Sequence, residues 1–88
     1  MGTKKLNILL IEDDTIEVMK LKRAITKLEM DHELIEAQNG EHALELLRSM
    51  NKLPDLIFLD LNMPKINGLE FLKIVKQDPV LQFLPTVI

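Results

Sequence analysis

An α/β fold with a parallel sheet between helices is what these 88 residues predict. Two observations predict it. Apolar runs at residues 7–11, 55–59 and 86–88 are continuous rather than alternating, as in strands covered on both faces. Segments with helical spacing separate them, giving the order βαβαβαβ. Strands that alternate with helices in this way lie parallel and are joined by right-handed crossovers.

Each element has its own warrant. Asn7-Ile8-Leu9-Leu10-Ile11 is the first strand, closed by Glu12-Asp13-Asp14-Thr15. Asp14 or Thr15 caps the helix that follows. Val18, Leu21, Ala24, Ile25 and Leu28 recur at helical spacing, with Lys20, Lys22, Arg23 and Lys27 largely off that stripe. Residues 33–37 alternate, which predicts a second strand at an edge, partly in water. Asn39-Gly40 turns the chain into a helix over 41–51, with Ala43, Leu44 and Leu47 on one face. Leu53-Pro54 ends it. Residues 55–60 form the third strand and 63–68 a loop. Leu69, Leu72 and Val75, with Phe71 beside them, mark a third helix that ends near Asp78-Pro79. Thr86 opens a fourth strand.

The bulk composition narrows the function. The chain is 47% apolar, carries a net charge of −3 and has no cysteine. It fits one small globular domain without disulfides or thiolate metal sites. No basic patch points to nucleic acid. No apolar run approaches the roughly 18 residues of a membrane span, and the first residues do not form a secretory signal. Cytoplasm is the default expectation.

The carboxylates carry the chemistry. Ligands of open parallel sheets bind at the carboxyl ends of the strands. Glu12, Asp13 and Asp14 end the first strand, and Asp60 ends the third. If those strands are neighbours, the carboxylates converge and repel one another unless a cation joins them. A hard divalent ion such as Mg²⁺ suits such a set of oxygens, and it would screen an incoming phosphoryl group. The plainer reading of an acid just before a helix is a cap, and it suits Asp14. Asp60 resists it, because four apolar residues deliver it to the sheet rim. His32 and His42 read as surface residues without metal-ligand spacing. Met19, Met30, Met50 and Met63 read as packing or loop residues.

Four motifs in order, residues 8–14, 37–44, 54–64 and Gly68, resemble the receiver domain of two-component response regulators, the small single-domain or phytochrome-associated kind especially. The resemblance spans the whole chain. It implies a flavodoxin-like doubly wound sheet of order 2-1-3-4-5. It also implies that Asp60 is the phosphoacceptor, taking a phosphoryl group from a phosphohistidine of a histidine kinase or phosphotransfer protein to form an aspartyl phosphate. Asp13 would bind Mg²⁺, Glu12 would do so directly or through water, and Asn62 would offer its backbone carbonyl. Met63, Pro64 and Gly68 would shape the loop, Pro64 by setting a turn and Gly68 by permitting positive φ. The lysines of the first helix would face solvent or meet the kinase.

The same resemblance implies a switch Ser or Thr and a Lys, which by spacing fall beyond Ile88 along with a fifth strand and two helices. The expectation is therefore a C-terminally incomplete receiver over residues 1–88, slow to phosphorylate and prone to self-association through a bare sheet face. Two other readings compete. A phosphohydrolase of the haloacid-dehalogenase type also uses a strand-end Asp with Mg²⁺, but Asn62 stands where its acid/base Asp belongs. An inert pseudo-receiver acting through protein contacts is opposed by Glu12, Asp13 and Asp60 together.

Overall fold

A computed structural model describes residues 5–29, 31–60 and 68–88. The elements run β1 (Leu6–Ile11), α1 (Thr15–Lys27), β2 (His32–Ala37), α2 (Gly40–Ser49), β3 (Leu56–Leu59), α3 (Gly68–Gln77), a single 3-10 turn (Leu81–Phe83) and β4 (Thr86–Val87). Helix ends sit within a residue or two of the expected positions.

All strand pairs are parallel, in the order β2-β1-β3-β4. This is the 2-1-3-4 order of a flavodoxin-like sheet. β2 lies at an edge, as expected, but its exposed residues Glu33 and Glu36 are three apart and fall on opposite faces, so its burial does not alternate. The register is tied at the amino end, where the Asn7 N–H donates to Asp55 Oδ2 at 2.9 Å and the Asp55 N–H donates to the Asn7 carbonyl at 2.7 Å.

The core lies mainly on one face of the sheet. Leu9, Ile11, Ala37, Ile57 and Leu59 point into it, against Ala43, Leu44 and Leu47 of α2 and Phe71 and Val75 of α3. Period-2 alternation sends Ile8 and Leu10 to the other face, where Val18 and Ile25 of α1 are buried.

Two helical stripes differ from expectation. In α1, Ala24 and Leu28 are exposed and only Val18 and Ile25 are buried. In α3, Leu69 is 59% exposed, while Gly68, Phe71 and Val75 form the buried line. Positions 68, 71 and 75 follow the i, i+3, i+7 spacing of one helix face, and 69 falls beside it. The 3-10 turn was not foreseen. Asp78 Oδ1 accepts the Val80 and Leu81 N–H groups at 2.8 and 3.0 Å and so starts it.

Candidate functional site

The parallel register brings the acids together. Ile11 pairs with Ala37 on one side and Leu59 on the other, so the three strands end level. The next residues, Glu12 and Asp60, therefore stand side by side at the carboxyl edge. Their backbones are pinned there: the Glu12 N–H donates to the Ala37 carbonyl and the Asp60 N–H to the Ile11 carbonyl, both at 3.1 Å.

Asp14 separates from this group. Its side chain accepts the Ile16 N–H at 2.9 Å and its carbonyl the Val18 N–H at 3.0 Å, so it is the N-cap of α1. The cap turns the chain sharply after β1 and leaves Asp13 exposed beside the strand ends.

Glu12, Asp13 and Asp60 each present one carboxylate oxygen, and these oxygens lie within 4.8 Å of one another. Oxygens sharing one Mg²⁺ at about 2.1 Å are at most about 4.2 Å apart. Adjacent oxygens on an octahedral ion lie about 3.0 Å apart, so the set would have to draw in by about an ångström to share one, within reach of side-chain rotations. All the donors are hard oxygens, which suits Mg²⁺ or Mn²⁺ rather than a thiolate-seeking metal.

Electrostatics describe the same crowding. The Glu12 carboxyl is pushed up to about 7. Burial is the largest cause. The Asp14 N–H, donating to Glu12 Oε1 at 3.2 Å, opposes it. A hydrogen bond shared with Asp60 and the charges of Asp60 and Asp13 add to the rise. A cation bound there would relieve the same repulsion.

The cluster opens into a cleft of about 360 Å³ on the α1 side, lined by Glu12 and Asp60 together with Leu10, Leu21, Phe58 and Val87. A solute therefore has direct access to the carboxylates. Gly68 is buried as the first residue of α3 rather than the last of a loop, and no described glycine takes positive φ, so close packing and not the expected turn accounts for it. Asn62, Met63 and Pro64 lie outside the described residues.

With the geometry in place, likeness to known proteins decides the family. Residues 8–88 match the family model described as the response regulator receiver domain. The chain belongs to the receiver-domain family of response regulators. It is 36% identical to the response regulator Rcp1 of Synechocystis sp., over 92% of this chain and 58% of that protein. It is 35% identical to the polar-differentiation response regulator DivK of Brucella anthropi, over 92% of this chain and 63% of that protein. The receiver thus spans about three fifths of the length of these relatives.

Solved structures agree. The bacteriophytochrome response regulator AtBRR superposes with a TM-score of 0.89 at 30% identity, over 97% of this chain and 66% of that one. The Mn²⁺-bound form of Rcp1 superposes with a TM-score of 0.85 at 35% identity, over 92% of this chain and 62% of that one. The receiver fold, the two-component class and the nearness to phytochrome-associated regulators are those read from the motifs.

One side chain was read too plainly. His42 is half-buried, and its ring accepts a backbone N–H from the loop before α2. Its place three residues after Asn39, at the third position of a capped helix, was the available signal.

Proposed function

We propose that this receiver accepts a phosphoryl group on Asp60 from a phosphohistidine of a histidine kinase or phosphotransfer protein. An oxygen of Asp60 attacks phosphorus. The P–N bond breaks, and its electron pair stays on the donor imidazole, which takes up a proton. The product is an acyl phosphate on Asp60, a stored signal rather than a turnover intermediate. Glu12 and Asp13 would hold Mg²⁺ together with Asp60, and the ion would offset the negative charge of the incoming phosphoryl group. In the same reading Asn62 adds a backbone carbonyl to the metal, and Met63 and Pro64 shape the adjoining loop.

The observation that carries this reading is the convergence of three carboxylate oxygens within 4.8 Å at the end of a parallel sheet. Supporting it is the likeness to a phosphorylated cyanobacterial phytochrome response regulator, RcpA, with a TM-score of 0.87 at 33% identity over 94% of this chain and 63% of that one. Among the described residues no helix is long and apolar enough to cross a membrane, and we place the reaction in the cytoplasm.

The test is transfer from a phosphohistidine-bearing donor protein, followed by phosphorus label on the receiver. Label that requires Mg²⁺ and is absent from Asp60→Asn is the expected result. Sustained release of phosphate from a generic phosphate ester would overturn the acceptor reading in favour of a hydrolase.

A further inference from the structure

One peptide unit is held from both ends beside the acidic cluster. The carbonyl of Ala37 accepts the Glu12 N–H at 3.1 Å. The N–H of the same peptide, that of Gln38, donates to His42 Nδ1 at 3.3 Å. The His42 ring is steadied in turn, because its own backbone N–H donates to Asn39 Oδ1 at 2.8 Å in the N-cap of α2. We infer that His42 is a positioning residue for the metal cluster: its Nδ1 orients the Ala37–Gln38 peptide, whose carbonyl fixes the Glu12 backbone. This inference rests on the reading of Glu12 as a metal ligand.

The chemistry follows from the tautomer. A ring accepting at Nδ1 carries its neutral-state proton on Nε2. Donation from Gln38 to that nitrogen polarises the peptide and strengthens its carbonyl as an acceptor for Glu12. Protonating the ring turns Nδ1 into a donor that faces another donor. The peptide then loses one of its two anchors, and the Glu12 end of the cluster loosens. Gln38 also borders the small hollow beside Glu12 and Asp13, so the peptide that His42 holds is part of its wall. The charged groups sharing the hollow with His42 are Glu41 and Glu45, both on α2, and its other walls are the neutral Gln38 and Asn39. Among the described residues, no charged side chain of β1, β2 or α3 lines it.

The experiment follows amide and ring resonances of the metal-free chain against pH by NMR, then titrates Mg²⁺. Wild type is compared with His42→Asn, whose amide oxygen can accept where Nδ1 does, and with His42→Leu, which cannot accept. The Gln38 amide is expected to move with protonation of the His42 ring, and this step vanishes in His42→Asn. The step that the Glu12 amide owes to its own carboxyl, at about 7, remains in both chains. Mg²⁺ affinity in His42→Asn matches wild type with a neutral ring, whereas His42→Leu is weaker by about two- to tenfold, the worth of one neutral hydrogen bond. A Gln38 amide indifferent to the ring, or a folded His42→Leu that binds Mg²⁺ as tightly as wild type, would overturn the inference. If His42→Leu does not fold, the pH comparison of wild type with His42→Asn decides. Amide coupling without Mg²⁺ binding in wild type would instead overturn the reading of the cluster as a metal site.

Discussion

Glu12 is where a proton and the proposed cation would compete. Its carboxyl sits at about 7 rather than 4.5, through burial first and then through Asp60 and Asp13. Between those values the folded chain holds a proton that the unfolded chain has released. The contribution of Glu12 to stability is therefore complete below pH 4.5 and is lost as pH rises through about 7. In the proposed metal site Mg²⁺ would compete for the same oxygens, and its affinity should rise across that window. Thermal melts of the metal-free chain should show a larger loss of stability from pH 5 to pH 8 in wild type than in Glu12→Gln; equal losses would contradict the account. Asp13→Asn should weaken Mg²⁺ by about tenfold or more, since even residues that merely support ligands often count for that much. At this scale the acids were legible because a charge ending an apolar strand needs a partner. The peptide link from His42 to Glu12 was not, because it depends on a loop path that spacing alone does not specify.

Helices and strands differ in how well the sequence reports them. The continuous apolar runs gave three of the strands, since a parallel sheet covered on both faces admits few polar residues, while the order of the sheet came with the family resemblance. Helical periodicity gave the helices but overstated what they bury. It identifies a face, and the neighbouring elements decide how much of that face is covered, as Leu28 at 66% and Leu69 at 59% exposure show. The 3-10 turn escaped because a single turn has no period; the Asp78 side chain starts it, and the two backbone donors hold that carboxyl below its ordinary range. The buried line of α3 makes a sharp prediction. Phe71→Ala should cost about 3–5 kcal/mol in chemical denaturation, as for a fully buried aromatic. Leu69→Ala should stay within about 0.5 kcal/mol, as for an exposed position. Similar losses at both positions would mean that α3 packs through a different face.

Across the whole molecule, function follows from level strand ends. A one-residue slip of β1 against β3 would send Glu12 and Asp60 to opposite faces. The Asn7–Asp55 pair at the amino end resists that slip, although it lies at the far edge of the sheet from the site. The central claim is that the carboxylates at the strand ends suffice for phosphoryl acceptance. Its most direct test is intact-mass spectrometry after incubation with a small acyl phosphate and Mg²⁺, on wild type and on Asp60→Asn. The account predicts a single phosphoryl adduct that disappears in the variant and without the metal. An adduct that persists in Asp60→Asn, or none on a chain shown to bind Mg²⁺, would contradict it.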